Sequence, residues 1–163
     1  MSTAVAIPLA LVAAYVVGSI DFAVIVARMH GVDIHKEGSG NPGTSNILRT
    51  LGRLPAAMVY VGDTLKGTVG ALMGLIASGI SDPLSVPPYM TVQQVQWAFA
   101  AGFMAVVGHC YPVFHRFKGG KGVATAGGVI LFTAPLVMLL EVLIWAVAVR
   151  LTRTASVGRC CWS

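Results

Sequence analysis

The sequence predicts an all-α fold, a polytopic transmembrane helical bundle. Three observations carry that reading. Mean hydropathy is +0.79 and 10% of residues are charged, against roughly 25% in a soluble domain. Apolar runs recur along the chain, and about 20 such residues suffice to cross a bilayer as a helix. Lys and Arg cluster in short polar segments between those runs, the asymmetry that orients membrane proteins. Residues 1–163 read as a single domain.

The first span is expected from Ala4 to Ala27, interrupted only by Gly18-Ser19 and Asp21. No cation precedes it and it exceeds the length of a signal h-region, so it is not read as a signal peptide. A polar loop follows from Arg28 to Leu54. The second span starts at Pro55, a good first-turn residue, and runs to Ile80 with Asp63 and Lys66 inside it. The segment Ser81–Gln96 has three prolines and no Lys or Arg. A third span covers Trp97–Cys110, and a second basic loop covers His109–Gly122. The stretch Val123–Val149 is long enough for one tilted helix, or for two shorter ones broken near Thr133-Ala134-Pro135. Arg28, Lys36, Arg49 and Arg53 in the first loop, with Arg116, Lys118 and Lys121 in the third, place both loops in the cytoplasm. A turn at Pro135 brings Arg150 and Arg153 back to that side and gives five spans.

The net charge of +5 does not imply nucleic acid, because the cations lie in loops between apolar runs. The three cysteines, Cys110 and the adjacent Cys160 and Cys161, form no CxxC, so neither a disulfide framework nor a zinc site is expected. The chain shows no internal repeat of the kind common in transporters.

Chemistry concentrates in the two loops. The first reads Gly38-Ser39-Gly40-Asn41-Pro42-Gly43-Thr44-Ser45-Asn46, with Arg49 beyond. It is formally GxGxxG, but Asp33–Glu37 is no buried strand and the flanking segments are lipid-facing, which excludes a dinucleotide fold. Two readings remain, a turn-rich connector or an anion nest. In the second, Ser39, Thr44, Ser45 and Asn46 donate hydrogen bonds, Thr44–Asn46 cap a short helix through Arg49, and Arg49 offers a fork matched to phosphate. The other loop reads Phe117-Lys118-Gly119-Gly120-Lys121-Gly122, after Gly108-His109-Cys110-Tyr111-Pro112. It is either a positive-inside anchor or a phosphate cradle with a helix starting near Gly122. An anchor has no need of three glycines, which are costly to order. Gly follows Lys121, so this is no Walker A loop.

Asp63 and Lys66 lie three apart on one helix face. Ionisable groups inside a span are functional suspects, though an internal ion pair that fixes packing explains them equally, and Lys66 could snorkel. Glu141 is expected in a packing or interhelical hydrogen-bond role. His109 and His115 border the second loop, as a base or phosphate ligand or as helix-end histidines bonded to backbone. No GxSxG elbow, no His followed by Asp five positions on, and no HExxH is present. Transfer chemistry here is therefore expected to lack a covalent enzyme intermediate.

These residues resemble the bacterial membrane acyl-phosphate:glycerol-3-phosphate acyltransferases. The matching text is Gly18-Ser19-Ile20, Gly38 to Asn46 with Leu48-Arg49, Asp63-Thr64-Leu65-Lys66-Gly67, and Gly108-His109 with Pro112-Val113-Phe114 running into Phe117–Thr125. The resemblance implies a seven-span enzyme of the bacterial inner (cell) membrane with a cytoplasmic site. It implies acyl transfer from acyl phosphate to glycerol 3-phosphate, giving lysophosphatidic acid and phosphate in the first step of phospholipid synthesis. No cofactor or metal is implied. The partners implied are the two substrates, the bilayer and the soluble enzyme that makes acyl phosphate. Ser39, Ser45, Arg49 and the lysines of the second loop match phosphate-holding positions, and Ser156 matches another through Leu151-Thr152-Arg153. Gly40, Asn41, Asn46, Lys66, Gly119 and Gly120 complete the expected substrate site, and His109 is the candidate base behind substrate-assisted chemistry.

Asp21 stands where the family usually has proline, and Thr44-Ser45 replaces the usual Ala-Thr, keeping a hydroxyl. The family's last two spans and a His- and Asn-bearing motif have no counterpart before the Cys160-Cys161-Trp162-Ser163 ending, which is read as truncation after Gly158. The alternatives are a transporter or binding site for a phosphorylated solute, or an inactive truncated family member.

Overall fold

The computed structural model describes residues 2–79 and 90–152, and within them every regular element is helical. These are α1 (Thr3–Gly18), α2 (Phe22–Met29), α3 (Thr44–Thr50), α4 (Arg53–Ala77), α5 (Val92–Cys110), a 3-10 turn (Val113–His115), α6 (Val123–Thr133) and α7 (Pro135–Thr152). Helices α1, α4, α5 and α6 pack together, with α4 in contact with each of the other three.

The bundle is apolar outside and small inside. Val5, Leu9, Val12 and Val16 of α1 and Val61, Leu65 and Val69 of α4 are exposed at helical spacing. Buried positions are mostly Gly and Ala: Ala14 and Gly18, Gly67, Gly70, Ala71 and Gly74, then Ala98, Ala101, Gly102, Ala105 and Gly108. That inversion suits lipid, where large side chains gain nothing by facing inward and close backbone approach supplies the attraction. A Cβ on Gly18 would strike Ala105 O, one on Gly108 would strike Tyr15 O, and one on Gly74 would strike Trp97 O. Among the described residues, Thr3–Met29 and Val92–His115 are long and apolar enough to cross a membrane. Helix α4 has the length, at 25 residues, but carries Arg53, Asp63 and Lys66.

Several boundaries differ from expectation. The first apolar run is two helices, because Asp21 caps a new one: Val24 N donates to Asp21 Oδ1 (3.1 Å). Helix α5 begins at Val92, not Trp97, because Thr91 and Gln94 form a capping box that pulls the start forward. The run after Gly122 does break. Ala134 leaves the helical conformation (φ −148°, ψ 67°) ahead of Pro135, as a residue before proline prefers. Met138 Cε lies 3.4 Å from where a Cβ on Gly127 would stand, whereas a continuous helix would separate these residues by about 16 Å along its axis. Helix α7 therefore folds back toward α6. Glu141 is exposed on α7, so the expected packing role is not what the structure shows.

Candidate functional site

The first loop is built around Asn46. Gly38 and Gly40 take positive φ (56° and 68°) and turn the chain back on itself. Asn46 Oδ1 accepts from Ser39 N (3.0 Å), and its Nδ2 donates to Glu37 O (2.9 Å) and Ile34 O (3.4 Å). One buried amide thus fastens residues 34–39 to α3. Ile34 and Ile47 anchor both ends of the loop in a cluster with Val24, Ala27 and Val59. A Cβ on Gly38 would collide with Asn46 Oδ1, which fixes glycine there. The short helix through Arg49 forms as expected, but its N-cap is Gly43 and no side chain caps it. Asn46, expected as a phosphate donor, has its amide spent on the loop's own backbone. Ser39, Ser45 and Arg49 are exposed, and Gly40 and Asn41 are half-buried.

The second loop closes the end of α5. Gly119 N donates to Cys110 O (3.2 Å) and Gly120 N to His109 O (3.1 Å). These amides satisfy carbonyls that the helix end leaves open, so the two glycines do not offer N–H groups to an anion as a nest would. Their lack of side chains serves close approach instead. A Cβ on Gly119 would strike His109 O, and one on Gly120 would strike His109 Nε2 and stand 2.6 Å from Pro42 O. Gly122 (φ 75°) turns the chain into α6, which starts at Val123. Lys118 and Lys121 are left exposed. Gly120 against Pro42 places the two cationic loops side by side on one face of the bundle.

Beneath that junction lies a buried polar cluster. Lys66 Nζ is 2.9 Å from Asp63 Oδ1, with both side chains 2% exposed. Capping of α2 by Asp21 occupies Val24 N, the amide that an unbroken helix would give to Ile20 O. Lys66 Nζ takes that freed carbonyl instead, donating to Ile20 O at 2.7 Å, and lies 5.9 Å from the Phe22 ring centroid. Lys66, expected to grip phosphate, is therefore enclosed and committed to the helix break. His109 Nδ1 is 3.5 Å from Asp63 Oδ1, its ring 6% exposed, and Gly120 covers its Nε2 edge. A base must come within hydrogen-bond reach of the proton it takes. His109 lies below the loop, and Gly120 stands between its Nε2 edge and the face that carries Lys118 and Lys121.

The 3-10 turn within the second loop is tied to α1. Tyr15 Oη donates to Tyr111 O (2.8 Å) and Val113 N to Ser19 Oγ (3.4 Å). Ser19 and Tyr15 shape this junction and were assigned no site role from the sequence; Ser19 was marked by the Gly18-Ser19 interruption and by the family-matching Gly18-Ser19-Ile20, Tyr15 by nothing. A cavity of about 430 Å³ opens beside the first loop, lined by Val24, Arg28, Gly31, Val32, Asp33, Ile34 and His35. It contains none of the expected phosphate ligands, so the candidate site is the loop face and not this cavity. Ser156 lies outside the described residues.

The family described as Glycerol-3-phosphate acyltransferase matches residues 8–163. A glycerol-3-phosphate acyltransferase of Exiguobacterium sibiricum is 42% identical over 147 residues, covering 90% of this chain and 64% of that protein. One from Bacillus subtilis is 39% identical over 153 residues, covering 93% of this chain and 72% of its own length. Among solved structures, the glycerol 3-phosphate form of PlsY (YgiH), an integral membrane glycerol 3-phosphate acyltransferase, superposes with a TM-score of 0.76 at 36% identity. That match covers 91% of this chain and 68% of the other. Its lysophosphatidic acid form matches at a TM-score of 0.72 and 37% identity, over 88% and 64% of the two chains. The chain thus spans from 64% to 72% of the length of these relatives.

Proposed function

The chain belongs to the glycerol-3-phosphate acyltransferase family, and from that membership we propose that it transfers a fatty acyl group from acyl phosphate to glycerol 3-phosphate. The products are lysophosphatidic acid and inorganic phosphate, in the first acylation of phospholipid synthesis. The observation that carries the reading is the seating of Gly120 against Pro42, which sets the Arg49 loop beside the Lys118–Lys121 loop.

The chemistry follows from the substrates. Acyl phosphate is a mixed anhydride with a good leaving group, so no serine or cysteine nucleophile is required. A hydroxyl of glycerol 3-phosphate attacks the acyl carbonyl, the new ester C–O bond forms, and the anhydride C–O bond breaks with its electron pair leaving on phosphate. Both substrates carry phosphate dianions and repel each other. Exposed Arg49, Lys118 and Lys121, with the Ser39 and Ser45 hydroxyls, offset that repulsion and hold the pair in line. Orientation of this kind is worth roughly 7–11 kcal/mol of barrier. Cations beside the departing phosphate stabilise the charge that develops there. The substrate's own phosphate accepts the hydroxyl proton, consistent with the enclosure of His109. Asn41 and Gly40 line the loop, and Ser156 is proposed as a further phosphate-holding residue from the family resemblance alone.

Five spans, with both cationic loops on the cytoplasmic face of the inner membrane, satisfy the distribution of Lys and Arg. The donor reaches that face from the soluble enzyme that forms acyl phosphate. The test is an assay of the solubilised chain for phosphate release from acyl phosphate, with and without glycerol 3-phosphate. Acceptor-dependent release with ester formation supports the enzyme. Binding of glycerol 3-phosphate without release identifies a carrier or a silent binding protein, and overturns the proposal.

A further inference from the structure

The geometry points to Asp63 as a positioning residue that seats the second loop through His109. Asp63 Oδ1, ion-paired with Lys66 Nζ at 2.9 Å, and His109 Nδ1 are both buried and face each other at 3.5 Å, and His109 Nδ1 has no other polar partner among the described residues. A buried polar atom left unpaired is costly, so His109 Nδ1 favours facing this carboxylate. Asp63 is itself held in place by the Lys66 ammonium, which is pinned to Ile20 O. The carboxylate therefore sets how the imidazole lies between α4 and the end of α5.

The ring's other edge carries the loop. Gly120 rests so close to His109 Nε2 that no Cβ fits between them, and the same face of Gly120 meets Pro42 O. A tilt of the imidazole moves Gly120 and with it the contact between the two loops. The order of contact runs from the α1–α2 break through Lys66, Asp63, His109 and Gly120 to Pro42. Neither Asp63 nor His109 lies on the exposed face with Lys118 and Lys121, so they act on substrate only through the loop they support. The ion pair is thus more than a packing device inside α4.

The test uses the full chain in detergent. Asp63→Asn alone strands the Lys66 charge in the interior, so it is paired with Lys66→Met, and His109→Asn is made separately. Hydrogen exchange is followed at the amides of Gly119 and Gly120, which donate to Cys110 O and His109 O. Both variants are expected to speed exchange there by about tenfold, while the middle of α5, Ala98–Ala105, keeps its protection. A second arm rests on the acyltransferase reading: KM for glycerol 3-phosphate rises about tenfold while kcat stays within about threefold, the signature of lost binding geometry. Unchanged exchange at Gly119 and Gly120 overturns the inference. So does protection lost equally throughout α5, which would mark a merely structural role. Absence of turnover in the unsubstituted chain would defeat the activity reading alone, because the exchange arm does not depend on it.

Discussion

Adjacent glycines in α6 provide a test of how the bundle is held together. Gly127 and Gly128 are both interior to Val123–Thr133, and changing either to Ala gains about 0.5–1 kcal/mol of helix propensity. Their surroundings differ. Among the described residues a Cβ at 127 meets only Met138 Cε, at 3.4 Å, the far end of a flexible side chain. A Cβ at 128 would strike Thr64 O, backbone of α4 that cannot swing aside. The same crossing is tight from the other side, where Gly67 abuts Thr125 O and Thr68 Oγ1 donates to Gly128 O at 3.0 Å. Overpacking of this kind costs about 1–3 kcal/mol. Gly127→Ala should therefore be neutral or stabilising by up to about 1 kcal/mol, and Gly128→Ala should lie about 1–3 kcal/mol below it, propensity cancelling in the comparison. Reversible unfolding in mixed micelles measures both. Equal effects from the two substitutions would refute the claim that α4 and α6 touch backbone to backbone at Gly128.

Other outcomes follow from the same contacts. Arg49→Ala and Lys121→Ala should each lower kcat/KM for glycerol 3-phosphate by about 10- to 150-fold, the worth of one charged hydrogen bond at about 1.5–3 kcal/mol; wild-type kinetics in both would remove these cations from the site. Asp63→Leu should destabilise the chain by about 3–5 kcal/mol in the same micelle titration, whereas Asp63→Leu with Lys66→Met should recover most of that loss. Asn46→Ala leaves Ser39 N, Glu37 O and Ile34 O without their partner, and limited proteolysis should then cut between residues 34 and 42 at rates at which the unsubstituted loop resists. Thr91→Ala should cost about 1 kcal/mol through loss of the capping box on α5, read by exchange at its first turn.

Much of this was legible in advance, for a reason particular residues make clear. The apolar runs, the turn before Pro135 and the helix start after Gly122 are local events, set by hydropathy and backbone sterics within a few residues. The loop motifs are equally local, and they carry the family. The use of each loop residue was not legible. Asn46 and Ser39 both resemble donors in a glycine-rich string, yet one is buried and consumed by the loop while the other is exposed. Gly119 and Gly120 suggest free amides, yet those amides close α5.

What the linear chain settled, then, is its solvent, its class and which two segments carry the chemistry, because composition and short-range spacing respond to lipid and to backbone sterics directly. The partners of Lys66, His109 and Gly120 emerged in three dimensions. Lys66 meets a carbonyl 46 positions away, His109 meets a carboxylate on another helix, and Gly120 meets Pro42 across two loops. Such pairings depend on how glycine-lined helices cross, and side-chain identity alone carries no record of the crossing.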